Sequence, residues 1–210
     1  MARDPEATRR RIFEAAIDEF AHRGIAGARI DRIAERACAN KQMIYAYFGS
    51  KQELFDRVVT DQVARFHGDV RLDPDDIPAF AGAAFDFFTD NPAIARLGIW
   101  HSLESGEGAM RIEAIERSIE QHTQALREAQ AAGRIDSTFG PDELLAMILA
   151  VARAWVAPTP ELQPGETAEP SVRRKRRRAV VETVRRLVAP PSPTGRAPSG
   201  ATARRGAARP

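Results

Sequence analysis

The fold of this chain is set by residues 30–51, IDRIAERACANKQMIYAYFGSK, in which two short helical patterns flank a three-residue interruption. The first pattern repeats apolar residues at helical spacing: Ile30, Ile33, Ala34 and Ala37. The interruption, residues 38–40, ends in Asn40, a residue type that often caps the start of a helix. The spacing therefore predicts a helix, a tight turn and a second helix.

The second pattern has one apolar face and one face that does not suit a protein core. Ile44 and Phe48 are one turn apart and are predicted to point inward. The remaining surface carries polar, small and aromatic residues: Gln42, Met43, Tyr45, Ala46 and Tyr47. A helix placed in a DNA major groove has this composition, because its crest touches base edges while its flanks meet phosphates. The two helices are therefore predicted to form a helix-turn-helix.

Composition favours a soluble intracellular protein with a sizeable core. The chain has 210 residues, of which 43% are hydrophobic and 29% charged, enough for one or two domains. No apolar run reaches the roughly 18 residues that a membrane span needs, and the first residues lack a signal-peptide pattern. A single cysteine cannot form an internal disulfide, as expected in a reducing compartment. We therefore predict a cytoplasmic protein with no membrane partner.

Charge is distributed unevenly, although the net charge is only +2. Residues 1–51 carry ten Lys and Arg against seven Asp and Glu, and residues 173–210 carry twelve against one. The residues between them carry nine against twenty-one. Because an acidic surface repels phosphate, only the two ends of the chain are predicted to face nucleic acid.

Helical periodicity continues along the chain, and neither a strand pattern nor an internal repeat is present. Asp4 followed by proline has the chemistry of a helix start, and Gly24 that of a helix end. Residues 50–53, SKQE, form a capping box at the start of a long helix that reaches Phe66. The run 144–152 is apolar on all sides, which predicts a helix buried all round. The predicted fold class is all-α.

The chain resembles the amino-terminal domain of TetR-family (tetracycline-repressor-like) transcriptional regulators in two segments, TRRRIFEAAIDEFAHRG and IDRIAERACANKQMIYAYFGSKQELF. The resemblance covers residues 8–55. It implies a three-helix helix-turn-helix DNA-binding domain at residues 1–51 and a carboxy-terminal helical bundle for ligand binding and dimerisation at residues 52–189. Residues 190–210 are rich in Pro, Ser, Gly, Ala and Arg, and are predicted to be a disordered basic tail.

Base-reading residues are expected in the first turn of the recognition helix. We predict Gln42 and Met43 as readers, because glutamine pairs with adenine and methionine offers apolar contact to a thymine methyl. Lys41 is predicted to reach guanine or a phosphate. The resemblance implies phosphate contacts from Tyr45 and Tyr47, which match backbone-contacting positions of the family. The alternative is that the two tyrosines only complete the core of the small domain.

The resemblance also implies a phosphate contact from Lys51, and we expect further phosphate contacts from Thr8 and one arginine among residues 9–11, at the start of the first helix. Two positions depart from the family pattern. Arg29 stands where a Ser or Thr usually caps the second helix, so it can contact a phosphate but cannot cap. Cys38 replaces a turn glycine, at a cost of about 1 kcal/mol if the backbone there is left-handed. Cys38 is interpreted as a small packing residue rather than a redox sensor.

The resemblance implies that the carboxy-terminal domain, which includes the acidic middle of the chain, holds a small-molecule effector. Aromatic, sulfur-containing and imidazole side chains are the candidates for the wall of its cavity: Phe85, Phe88, Trp100, His101, Met110, His122, Met147 and Trp155. The alternative is that most of them are ordinary core. No residues show metal-ligand spacing and no catalytic set stands out, so we predict no metal, no cofactor and no enzyme activity.

Two apolar helices, at residues 144–156 and 180–188, are predicted to form the interface of a homodimer. Dimerisation would set the two recognition helices about 34–36 Å apart, the spacing of successive major grooves. The basic run 173–178 is interpreted as the solvated start of the last helix rather than as a nucleic-acid patch. The arginines of the tail are expected to add salt-sensitive, non-specific affinity for DNA.

The resemblance implies a homodimer that binds a roughly palindromic double-stranded DNA operator, and together with the helix layout it leads us to expect a repressor that is released by an effector. The long fourth helix is the expected lever between the two domains. Two alternatives remain open. One is a constitutive regulator or activator without a ligand, and the other is an enzyme or ligand-sequestering protein with a vestigial DNA domain.

Overall fold

A computed structural model describes residues 4–104, 112–156 and 169–190. These residues form nine α-helices and no strand: α1 (Pro5–Gly27), α2 (Ile30–Arg36), α3 (Lys41–Phe48), α4 (Lys51–Asp69), α5 (Ile77–Asp90), α6 (Pro92–Glu104), α7 (Glu113–Ala131), α8 (Pro141–Arg153) and α9 (Pro170–Val188). The predicted all-α fold class is confirmed. Of these helices, none is both long and apolar enough to cross a membrane. The predicted disordered tail beyond residue 190 lies outside the described residues.

Helices α1 to α3 and the first half of α4 enclose the first of two hydrophobic cores. Phe20, Ile33, Ile44 and Leu54 come from these four helices, and each is at most 1% exposed. Complete burial of a side chain of this size stabilises a fold by about 1.5–3 kcal/mol. Leu97 of α6 packs into the same core. The angle between α2 and α3 is therefore fixed by shared packing as well as by the turn that joins them.

The second core lies among α5, α7, α8 and α9. Phe80, Phe85, Leu126, Ile148 and Val184 are each at most 1% exposed there. Because α5 packs against both α8 and α9, it forms the centre of this bundle. The last helix contributes Val180, Val184 and Val188, which lie on one face and are buried.

Ion pairs fasten the start of α9 to α5. Arg173 donates to the two carboxylate oxygens of Asp90 at 2.6 and 2.9 Å, and Arg177 donates to Asp86 at 2.6 Å. A Cβ at Gly82 would lie only 2.9 Å from the guanidinium of Arg177, so the glycine permits this close approach. The hydrogen bonds from Arg173 hold the pKa of Asp90 below its usual value. Part of the basic run 173–178 therefore compensates acidic residues within the chain.

Helix α4 runs without interruption from the first core to the second. Phe55 belongs to the first core and Phe66 to the second. The predicted capping box is present at the start of the helix: the Ser50 hydroxyl accepts from the Glu53 amide at 3.1 Å, and the Glu53 carboxylate accepts from the Ser50 amide at 2.6 Å. The helix thus has a firm start directly after the recognition helix and ends among the aromatic side chains of the second bundle.

Helix α8 is not buried all round in the single chain, so that prediction is wrong for the protomer. Leu144 and Ile148 face the second core and are at most 1% exposed. Ala146, Ala150 and Ala154 are exposed on the opposite side. The neighbouring helices cover only one side of α8. The other side exposes a ridge of three alanines that are spaced four residues apart.

Candidate nucleic-acid interface

The turn between α2 and α3 has a left-handed backbone at Cys38, where φ is 49°. The Ala39 amide donates to the Ala34 carbonyl at 2.9 Å and closes the turn. Asn40 caps α3 as predicted, because its side-chain oxygen accepts from the Met43 amide at 2.8 Å. An L-residue with a left-handed backbone is strained by about 1 kcal/mol, so the cysteine in place of glycine destabilises this turn. The Cys38 side chain is exposed.

A glutamate of α1 takes the place of the missing cap of α2. Arg29, the N-cap residue, makes no side-chain capping bond, but its amide donates to the Glu19 carboxylate at 3.0 Å. The same carboxylate accepts from Arg32 Nε at 2.7 Å. Burial alone would raise the pKa of Glu19, which is 4% exposed, but the hydrogen bonds from Arg32 and from the Arg29 amide outweigh burial and lower it. The one signal in the sequence for this role is that Glu19 stands next to Phe20, a core residue.

The predicted base readers differ in how they lie on α3. Gln42 is exposed, and no described residue hydrogen-bonds its amide, so the amide is available to a base edge. Met43 is half-buried and packs against the first core. The Lys41 ammonium forms an ion pair with Asp31 of α2 at 2.6 Å. Lys41 must leave this partner before it can reach a base or a phosphate.

The predicted phosphate-binding residues flank the same helix. Tyr45 is 49% exposed and therefore is not a core residue, whereas Tyr47 is half-buried with its ring 6.4 Å from that of Phe48. The Lys51 ammonium donates to the Ala28 carbonyl at 3.4 Å, a long bond that leaves further donors free. The alternative that the tyrosines only complete the core of the small domain is thus excluded for Tyr45. It applies to Tyr47 only in part, because that side chain is half-buried.

The start of α1 lies against the helix-turn-helix. Arg11 Nε donates to the Ala37 carbonyl, in the turn, at 3.1 Å. Thr8 is 1% exposed, and its hydroxyl donates to the Asp4 carbonyl at 3.1 Å and accepts from Arg11 at 3.0 Å. The structure therefore places Thr8 inside the domain, not at the surface that a phosphate would reach. The Arg10 side chain, at 74% exposure, is more accessible.

Five of the eight predicted effector-pocket residues surround the second core. Phe85, Phe88 and His122 are buried in it, and Met147 and Trp155 are half-buried against it. Residues that line a pocket and residues of an ordinary core would both be buried in one cluster. Burial therefore does not distinguish the two interpretations.

Two more of the predicted pocket residues lie on α6. Trp100 Nε1 donates to the Ala21 carbonyl of α1 at 3.2 Å, which places Trp100 at the contact between α6 and the DNA-binding domain. His101 is half-buried on the same helix. Met110 lies outside the described residues.

Two imidazole rings stack where α4 meets α7. The centres of the His67 and His122 rings are 4.6 Å apart and their planes differ by 12°. His122 Nδ1 donates to the Ser118 carbonyl at 2.9 Å, whereas His67 Nε2 is buried without a partner. Burial lowers the pKa of both histidines and, together with the adjacent His67, brings the pKa of His122 to about 4. Sequence reasoning proposed His122 but missed His67.

Within the described ranges, no group of three or more His, Cys, Asp or Glu is arranged to hold a metal ion.

A helix-turn-helix with an exposed recognition helix, joined by α4 to a second helical bundle, defines a DNA-binding transcriptional regulator. The model for bacterial regulatory proteins of the tetR family matches residues 12–58, and that for the tetracyclin repressor-like C-terminal domain matches residues 76–186. The chain belongs to the TetR family, whose members are transcriptional regulators and not enzymes.

Individual relatives agree with this assignment. The chain is 42% identical to the HTH-type transcriptional repressor SCO4008 of Streptomyces coelicolor over 77% of its own length and 84% of that relative. It is 28% identical to the HTH-type transcriptional repressor NicS of Pseudomonas putida, over 67% of this chain and 70% of NicS. The crystal structure of the putative transcriptional regulator SCO4942 from Streptomyces coelicolor aligns with a TM-score of 0.74 and 37% identity, covering 88% of this chain and 99% of that one.

Proposed function

We propose that this protein is a cytoplasmic homodimeric repressor that binds a roughly palindromic operator and is released from it by a small molecule. The exposed side of α3 is the observation that carries the proposal. Gln42 and Tyr45 project outward from a helix whose opposite side is buried through Ile44. Two relatives that the chain resembles are named as transcriptional repressors, which supports repression rather than activation.

The proposed DNA contacts keep the predicted residues of α3, together with Arg29 and Lys51. Base edges are contacted by three residues of the first turn of α3: Lys41, Gln42 and Met43. Phosphates are contacted by residues on both flanks: Arg29, Tyr45, Tyr47 and Lys51. Thr8 is left out of this set because its hydroxyl is buried and already bonded within the domain.

The proposed dimer pairs α8 and α9 with their symmetry mates. The ridge of Ala146, Ala150 and Ala154 favours this arrangement, because small exposed side chains allow two helices to approach closely. Dimerisation matters for function because it sets the distance between the two copies of α3. The effector acts by favouring a dimer in which that distance no longer fits the operator.

Footprinting on the DNA upstream of the protein's own gene tests the proposal. We expect protection of two half-sites about one helical turn apart, which is lost in the double variant Gln42→Ala and Tyr47→Phe while the dimer persists in sedimentation. Arg117→Gln, a change on an exposed arginine of α7, serves as the control and should protect the same sites. A monomer in solution, or protection that no compound in a broad library relieves, contradicts the dimeric, effector-released repressor.

A further inference from the structure

Arg153, the last residue of α8, places a charged group between α8, α5 and α6. Its guanidinium carbon lies 5.8 Å from the centre of the Phe88 ring on α5. One terminal nitrogen lies 3.3 Å from the position that a Cβ would occupy at Gly98 on α6, so the glycine leaves room for the guanidinium. The side chain as a whole is half-buried.

The charge of Arg153 is not balanced within the described part of the chain. No described carboxylate pairs with it, in contrast to Arg173 and Arg177 of α9, which pair with aspartates of α5. Its Nε donates to the Leu149 carbonyl of its own helix at 3.1 Å, and no described residue accepts from its two terminal nitrogens. Burial lowers the pKa of Arg153, yet a guanidinium remains charged at neutral pH. Partial burial of an unpaired charge is unfavourable, and such departures concentrate at functional sites.

We propose that Arg153 binds the anionic group of the effector, so that the effector is an organic anion with a carboxylate or a similar oxyanion. A guanidinium offers two parallel N–H donors that match the two oxygens of such a group. The Phe88 ring beside Arg153 contacts the apolar part of the ligand. This inference rests on the proposed function and adds the chemical class of the effector.

Packed side chains connect this site to the helix that leads to the DNA-binding domain. The Phe88 ring stacks on that of Phe66, with 5.2 Å between the ring centres and 12° between the planes. Phe66 belongs to α4, which begins at Lys51 beside the recognition helix. An anion drawn between Arg153 and Phe88 thus acts on the end of the helix that carries the DNA-binding domain.

Thermal unfolding of the full-length protein with matched probes tests the charge requirement. The probes are 1-naphthoate, the neutral 1-naphthamide, the cation 1-naphthylmethylammonium, and a series of straight-chain carboxylates from butyrate to decanoate. We expect at least one carboxylate to raise Tm, by about 5–10 °C at a hundredfold excess over its Kd. The amide and the cation should leave Tm unchanged.

Two variants locate the effect. Arg153→Met keeps an unbranched apolar side chain and removes the guanidinium with its charge, and it should abolish the carboxylate response. Arg134→Met removes an exposed arginine that pairs with Asp75, and it should keep the response. Without ligand, Arg153→Met should melt at the same temperature as the wild type or higher, because the variant no longer buries an unpaired charge. A purely structural arginine would instead lower Tm when it is lost.

Three results overturn the proposal: no carboxylate binds at millimolar concentration, the amide or the cation binds equally well, or Arg153→Met binds carboxylates as the wild type does. The proposed function is judged separately, by release of the protein from its operator. If a cationic or neutral compound releases the protein from DNA, the repressor proposal stands and the anionic class fails. If carboxylates bind without altering operator affinity, the binding site stands and the effector-released repressor fails.

Discussion

The carboxylate of Glu19 on α1 accepts a hydrogen bond from the backbone amide of Arg29, the residue that starts α2, at 3.0 Å. Through this bond a buried side chain of one helix satisfies the first free amide of another. Glu19 also holds Arg32 of α2, so α1 fixes the helix that supports the recognition helix. An arginine at the N-cap is tolerated here because the capping acceptor comes from elsewhere in the fold.

Removal of this acceptor should destabilise the DNA-binding domain. We expect Glu19→Ala to lower the free energy of unfolding by about 1–3 kcal/mol, because the Arg29 amide and Arg32 lose their acceptor. The matched control is Asp18→Ala, which removes an ion pair with Arg36 in which both side chains are about half exposed. Such a pair contributes roughly 0.2–1 kcal/mol. Urea denaturation measures both variants, and equal losses would show that Glu19 is not a cap.

The stacked histidines should make stability depend on pH. The folded state lowers the pKa of His122 to about 4, so this group contributes stability above its ordinary pKa of about 6.5. That contribution is lost as the pH falls from about 6.5 towards 4, because the unfolded chain takes up the proton more readily. The loss should be on the order of 2–3 kcal/mol, measured by denaturation at a series of pH values.

His122→Phe keeps an aromatic ring and removes the titration, so its stability should change less over the same pH range. His22→Phe alters an exposed imidazole on α1 and should retain the pH dependence of the wild type. Parallel curves for the wild type and His122→Phe would contradict the assignment.

Gln42 should read a base rather than only contact the DNA surface. Gln42→Ala is expected to weaken operator binding by about 1–3 kcal/mol and to relax the preference at one base pair of each half-site. The slope of affinity against salt should stay the same, because no charge is lost. Binding measurements on operators with single base-pair changes test this. If Gln42→Ala lowered the affinity equally for all sequences, Gln42 would not be a base-reading residue.

Arg29 should contact a phosphate, and its substitution should therefore affect DNA binding differently from that of Gln42. Arg29→Gln is expected to weaken specific and non-specific binding alike, and to reduce the salt slope by about 0.9 for each protomer. Arg117→Gln on α7 removes an exposed arginine outside both the proposed DNA contacts and the proposed dimer interface. If that variant reduced the slope equally, the effect would reflect net charge and not a contact.

The strained turn offers a gain in stability. Cys38 has a φ of 49°, which glycine adopts without strain, so we expect Cys38→Gly to raise stability by up to about 1 kcal/mol. Cys38→Val should lower stability, because a β-branched side chain tolerates this backbone poorly. Thermal unfolding measures both changes. A destabilised Cys38→Gly would show that the side chain makes a compensating contact.

The local features of the motif were predictable from the chain alone. Asn40 caps the amide of Met43, and Ser50 and Glu53 cap each other. In each case the two partners are three residues apart, so spacing along the sequence determines whether they meet. For the same reason the helices of the DNA-binding unit and the exposed positions of Gln42 and Tyr45 follow from helical periodicity.

The tertiary structure decided contacts between residues far apart in the chain. Trp100 was predicted to line the effector cavity, yet its indole donates to Ala21 of α1, 79 residues away. The His67 partner of His122 and the unpaired charge of Arg153 also depend on which helices lie side by side. Helical periodicity specifies the face on which a residue lies but not the helix that covers that face. That choice is made by the packing of the whole chain.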